Sequence, residues 1–351
     1  MARVPRSAPW FARLCVVLCA VFAWSSEAAA QKTDVITLDN GDDITCEIKE
    51  LQRGRLRCKT DAMGTVYIKW ERIVHIKTDK TFEVEMESGQ RYFGSIEPGE
   101  EPLQLEVTVG QASTTIPTQE VAFVTQIRPG FWGKLDGGID FGASYTQSDN
   151  QFDYSLNASS TYTGRVNTFA LDFSSAIRVR EEETTNNRQS LSGQWFRQMR
   201  WQRWFALTVL NFERNDELDL DFRGTGGGGV GRYLVQTNRW TWNAFGTGLY
   251  SREQYVGEET GNNNFEAAAG TNVQVFTFGD HETDVNTSFV FLPSLTDIGR
   301  YRVLINSKVK REFITDFYFS VDFFESYDSR PPVTGTNKND FGITMALGWT
   351  Y

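Results

Sequence analysis

Large apolar and small or polar side chains alternate along most of the chain after Phe131, most cleanly at its end. Phe341, Ile343, Met345, Leu347, Trp349 and Tyr351 occupy one parity there, and Gly342, Thr344, Ala346, Gly348 and Thr350 the other. Successive side chains of a strand point to opposite faces, so each parity marks a face, one greasy and one small. Twelve such segments are expected, at approximately 133–147, 152–164, 167–181, 188–199, 203–214, 218–235, 238–254, 263–278, 282–294, 300–312, 316–327 and 339–351. Most hold 12 to 17 residues, whereas strands of globular sheets average ~5–6. Long, tilted strands are what crossing a bilayer requires.

Charged positions decide which face is which. Phe169, Leu171, Phe173, Ile177 and Val179 oppose Asp172, Arg178 and Arg180; Tyr301, Val303, Ile305 and Val309 oppose Arg302, Asn306, Lys308 and Lys310. An Arg facing lipid near the midplane costs ~2–4 kcal/mol, so the charges belong in a lumen and the aliphatics outside. Asp172, Arg178, Arg180, Lys308 and Lys310 are then expected to form a salt-bridged plug or to line a narrow polar pore. The connections should alternate between long outer loops and short inner turns. The expected outer set is 181–187, 213–217, 253–264 and 327–340; the inner set is 163–167, 197–203, 235–238, 279–282 and 312–316. Trp132, Trp195, Trp201, Trp204, Trp240, Trp349 and Tyr351 fall near strand ends, where interfacial aromatic girdles sit.

The segment before Arg128 has a different texture and repeats itself at an offset of 48. Ile36 matches Val84, Leu38 matches Met86, Gly41 matches Gly89, Ile48 matches Ile96, Ile68 matches Ile116, Ile73 matches Val121 and Ile76 matches Val124. Each unit opens as a hairpin, with Asn40-Gly41 in the first and Ser88-Gly89 in the second as the turn. The pattern resembles small SH3-like or Sm-like barrels. With Glu50–Gly54 as the next hairpin loop, Ile48 is expected opposite Leu56 and Cys46 opposite Cys58, a placement suited to a disulfide in an oxidising compartment. Two buried thiols are the alternative, and a zinc site lacks its remaining ligands.

The ends point to export. Arg3, Arg6 and Arg13 precede an apolar stretch from Leu14 to Trp24, and Ala28-Ala29-Ala30 offers a cleavage site before Gln31, so residues 1–30 read as a signal peptide. Removing their three Arg and one Glu from 35 basic and 45 acidic residues leaves 32 and 44, a formal charge of −12, which disfavours nucleic acid as a partner. No long apolar run remains, so membrane entry would require a closed barrel. A hydrophobic fraction of 40% and a mean hydropathy of −0.40 are compatible with that, because barrel strands are apolar only at alternate positions. Thr344, Ala346, Trp349 and Tyr351 resemble the insertion signal of bacterial outer-membrane barrels, with Ala where Gly is usual. That implies the barrel assembly machinery and outer-membrane lipid as partners.

Catalytic chemistry finds little footing. Of the two histidines, His281 lies in an expected inner turn, with Ser288 and Ser294 on the next strand; His75 sits in an alternating run. The Gly226–Gly229 run lacks the Lys and Ser or Thr of a phosphate loop and falls inside a strand-like segment. No cofactor or metal is expected.

The opening Trp132–Gly138 with Gly142-Ala143-Ser144, and the closing Gly342 to Tyr351, resemble the YdiY-like family of outer-membrane proteins, a domain of unknown function. The resemblance implies an outer-membrane barrel over residues 131–351 and no catalytic residues. The expected protein is therefore all-β: a periplasmic duplicated SH3-like region (31–128), then a twelve-stranded antiparallel transmembrane barrel (129–351). Its expected role is structural or envelope-interacting, with peptidoglycan or another envelope protein as partner. A narrow channel for small polar solutes is the alternative, and a lipid hydrolase the least favoured.

Overall fold

The computed structural model describes residues 33–351 apart from 111, 181–182, 200, 217–219, 258–260, 278–280, 315–316, 331–337 and 350–351. The expected signal peptide and Tyr351 lie outside the described residues. Two antiparallel sheets make up the rest.

The first contains β1 (Asp34–Leu38), β2 (Asp43–Gln52), β3 (Arg55–Lys59), β4 (Thr65–Lys69), β5 (Ile73–Met86), β6 (Arg91–Pro98), β7 (Gln104–Val109), β8 (Ala112–Pro117) and β9 (Val121–Gln126). Its elements recur at the offset of 48. The single-turn 3-10 helices Trp70–Arg72 and Thr118–Glu120 are equivalent. The pairs Ile36↔Ile76 and Leu38↔Ile73 are repeated as Val84↔Val124 and Met86↔Val121, with a bulge at the same step. Gly41 and Gly89 both adopt positive φ in hairpin turns, a conformation with little steric cost for glycine. Trp70 Nε1 donates to Thr118 O across the two units at 2.9 Å. Ile36, Ile48, Leu56, Ile73, Phe82, Val84, Ile96, Leu105 and Val124 form a dry core between the sheet's folded halves. Beside it the carboxylate of Asp34, fully buried, accepts from Ile48 N at 2.8 Å, Thr78 Oγ1 at 2.7 Å and Lys80 Nζ at 3.1 Å. A buried charge needs such partners.

The second sheet runs in strict up-and-down order: β10 (Leu135–Thr146), β11 (Gln151–Thr163), β12 (Asn167–Arg180), β13 (Glu183–Gln198), β14 (Trp204–Asn215), β15 (Leu220–Gln236), β16 (Trp240–Tyr255), β17 (Asn262–Thr277), β18 (Thr283–Pro293), β19 (Tyr301–Ile314), β20 (Phe317–Asp328) and β21 (Asn339–Trp349). The twelve strands match the expected ones closely. The exception is 181–187, expected as an outer loop. Most of it is strand, because a bulge after Arg178 lets Thr184 pair with Val179 and continue the ladder. Gly226–Gly229 lies inside β15, as the alternation implied.

The register carries one parity around the whole sheet. Phe141 faces Leu156, Phe173 faces Leu191, Leu191 faces Phe212, Tyr250 faces Phe265, Phe289 faces Ile305, and Phe323 faces Ile343. Along the middle of the strands that face is apolar and exposed, with charges such as Arg197, Arg311 and Glu325 only toward the strand ends; the opposite face holds charges along its length. On the charged face, aromatic rings lie over directly paired glycines. A Cβ on Gly342 would come within 2.4 Å of the Phe324 ring, and one on Gly348 within 2.2 Å of the Tyr318 ring. The small parity of the last strand is thus space for its neighbour's rings.

The sheet is rolled. Leu51 and Gln52 line one cavity with Gly164 of the β11–β12 turn, while the adjacent Arg53 pairs with Asp284 beside the β17–β18 turn. In a flat sheet those turns would lie six strands apart, ~29 Å at ~4.8 Å per strand. The ladder order begins at β10 and ends at β21, each with one neighbour among the described residues.

Candidate functional site

The first sheet docks on one end of the second, and the contacts fall on the expected inner turns. Arg55 Nη2 donates to Glu282 Oε2 at 2.8 Å, with Lys69 Nζ 3.4 Å from the same carboxylate and Arg53 paired to Asp284. Arg91 Nη1 donates to Gln198 Oε1 at 2.7 Å, and Nη2 to Met199 O at 3.1 Å. Gln198 Nε2 in turn donates to Glu85 Oε2 at 3.1 Å. Arg203 donates to Glu87 O, and the Arg165 guanidinium lies 3.8 Å from the centre of the Phe93 ring.

The strand pattern explains this placement. Along β5, Val84 and Met86 face the core of the first sheet, so Glu83 and Glu85 emerge on its other face, where the second sheet covers them. Burial raises Glu83 to about 6 against the pull of Arg91, 3.3 Å away. Burial also raises Glu85, which hydrogen bonds from Gln236 and Gln198 only partly oppose, and Glu87, with Glu120 adding repulsion. At the same end of the second sheet, Phe196, Phe205 and Tyr233 pack as tilted rings with centroids 5.0 and 5.3 Å apart, and Phe205 lies against Gly231. The docked end is therefore covered by the first sheet, over a cavity of about 170 Å³ that Phe196, Tyr233, Glu83 and Glu85 help to line.

The expected site residues are only partly brought together. Cys46 and Cys58 share a face and are fully buried, with their thiols in hydrogen-bond contact; this contact, then burial, pushes the Cys46 thiol well above its usual range. The pairing differs from expectation. Strand β2 runs on to Gln52, and Arg53-Gly54, both at positive φ, make the turn. The turn sets Leu51 opposite Leu56, and a bulge between Ile48 and Glu50 then brings Ile48 opposite Cys58. Two-residue hairpin turns with positive φ match the twist of the flanking strands, which shifts the register from that of a longer loop.

Asp172, Arg178, Arg180, Lys308 and Lys310 all point to the charged face, but on two distant strands, β12 and β19. Arg178 Nε donates to Asp153 Oδ1 at 2.8 Å, Lys308 lies 3.6 Å from Asp322, and Lys310 stands 3.9 Å from the Tyr318 ring centre. Asp172 lines a groove with Asp140 and Asn157. Arg178 and Lys308 thus find carboxylate partners on neighbouring strands, and Lys310 an aromatic ring. Thr344 and Ala346 lie on the small face and Trp349 on the apolar face. His281 is exposed in its turn, whereas Ser288 lies five residues into β18, ~17 Å along the strand. Ser294, farther still, donates to Asn264 Oδ1 at 3.0 Å. The residues that sequence reasoning missed are those of the junction: Arg53, Glu83, Glu85, Arg91, Gln198 and Asp284. Their only signal was the acidic alternation Glu83, Glu85, Glu87, which reads equally well as a solvated face.

No curated protein matches the chain. Among solved structures it is similar to a chain described as a bacterial polysaccharide outer membrane secretin, at 7% identity and a TM-score of 0.37, covering 77% of this chain and 96% of that one. The family described as "Protein of unknown function, DUF481" matches residues 139–351, nearly the whole second sheet. The chain belongs to that family.

Proposed function

We propose that this is an outer-membrane protein whose second sheet closes into a twelve-stranded barrel and whose first sheet, a pair of SH3-like units, seals the periplasmic mouth. Its role is structural and envelope-interacting, the module offering its free surface to peptidoglycan or another envelope protein. One observation carries the reading: the outward parity is apolar around the entire sheet, from Phe141 and Leu171 through Leu210, Phe265 and Phe289 to Leu347, all exposed. Apolar patches on soluble monomers seldom exceed a few hundred Å², and a hydrocarbon surrounding removes the cost. The charged parity points inward, which is the barrel arrangement.

Unpaired amides in hydrocarbon cost several kcal/mol each, so β10 must pair with β21 in the membrane. Cysteines placed at outward positions of β10 and β21, such as Ala143 and Met345, are expected to cross-link in cells, and the folded protein to shift its gel mobility on heating. Recovery of the processed protein from the soluble periplasmic fraction overturns the proposal. The second reading, a narrow diffusion channel, is favoured by the charged inner face. A mouth covered by the docked module, with Phe196 and Phe205 beneath it, predicts a silent planar bilayer, and steady conductance would favour the channel instead.

A further inference from the structure

At the outer edge of the junction, below the ends of β11 to β14, a cleft of about 1190 Å³ opens between the first sheet and the turns of the second. Its walls carry Arg91, Arg165 and Arg197 and no acidic residue. Arg91 is turned inward to Gln198 and Met199, leaving Arg165 and Arg197 exposed at the rim. Val166, Trp195 and the largely exposed Trp201 supply the apolar lining. The cleft is continuous with the apolar skin: Trp195 stacks on Phe169, and the Phe169 ring in turn meets that of Tyr162 at a tilt, with centroids 6.2 Å apart in each pair. Arg197 follows Trp195 on the outward parity, one step nearer the turn.

The geometry points to a binding site for an anionic phospholipid of the periplasmic leaflet, an assignment that rests on the membrane reading above. The two guanidinium groups take the headgroup phosphate, for which their planar forks are suited. The acyl chains run up the greasy wall beyond Trp195, with the tryptophans at headgroup level. A soluble phosphate would use only the two charges. Continuity with a lipid-facing surface, together with a rim of exposed Trp201 and Val166, commits the cleft to the lipid.

The test uses the full chain inserted in phosphatidylcholine vesicles with and without phosphatidylglycerol, the lipids retained after detergent extraction being counted by native mass spectrometry. Retention of phosphatidylglycerol over phosphatidylcholine is expected, and R165Q/R197Q lowers it on the order of 25-fold, each guanidinium contact to the headgroup within the cleft contributing roughly fivefold. Arg311→Gln, at the same end of β19 on the outward parity, is expected to leave retention unchanged. An equal loss with Arg311→Gln, displacement by glycerol phosphate, or no preference between the lipids overturns the site while the membrane reading stands. Failure to insert into either vesicle overturns both.

Discussion

The two sheets of this chain are inside-out versions of one another. In the first, Ile36, Val84 and Ile96 are fully buried and most charges lie outside that core, Asp34 beside it excepted; in the second, Phe141 and Leu347 are 71% and 69% exposed while Asp153 and Arg178 pair on the inner face. Alternation of period two is common to both, and what differs is which side meets an apolar medium. The first sheet folds over and makes its own medium. The second offers an apolar face too large for the chain to cover and leaves that task to its surroundings. A position's polarity therefore has opposite consequences in the two halves.

The largest test of that contrast is truncation of equal side chains. Phe82→Ala, in the dry core, is expected to cost ~3–5 kcal/mol, measured by urea unfolding of the full chain in detergent. Phe141→Ala on the exposed parity should stay within ~0.5 kcal/mol there. Charge insertion is the complementary test. Met345→Arg on the outward face should lose ~2–4 kcal/mol of insertion free energy, read as a fall in the heat-modifiable fraction. Ala346→Arg, one residue along and inward, should insert far better, and equal losses at both would erase the distinction between the faces.

The junction gives a smaller, pH-dependent effect. Glu83 is held at about 6 by burial, above its unfolded value of 4.5. Its contribution to stability is thus fully present below the unfolded value and lost as pH rises through about 6. A shift of this size corresponds to about 2 kcal/mol. Unfolding midpoints should favour the protein more at pH 4.5 than at pH 7 through this group. Glu83→Gln should flatten that part of the profile, and an unchanged profile would place the carboxylate in solvent. The smallest effect is expected at the exposed edge of the junction. Asp284→Ala removes the half-exposed pair with Arg53 and should cost only ~0.2–1 kcal/mol, seen as slightly faster proteolysis of the linker near Arg128.

Strand positions, their number and their facing were legible in the sequence because side-chain period and length are local properties. The 48-residue offset placed the equivalent turns at Gly41 and Gly89 for the same reason. The β2–β3 register was not, since whether Glu50 to Gln52 is loop or ladder depends on the competing turn at Arg53-Gly54. That Arg178 and Lys308 lie opposite the apolar parity was legible, but their partners depended on neighbours that only the register supplies: Asp153 for Arg178 and Asp322 for Lys308.

By itself, then, the amino-acid sequence determined two runs of alternating strands and the face on which each charge lies, because every strand imposes its parity on its own residues. Only the tertiary structure decided that Glu83 and Glu85 would be covered and that one hairpin would touch turns six strands apart. Docking depends on shape and charge meeting across segments more than a hundred residues distant, as Arg91 and Gln198 do, and no local pattern records that meeting.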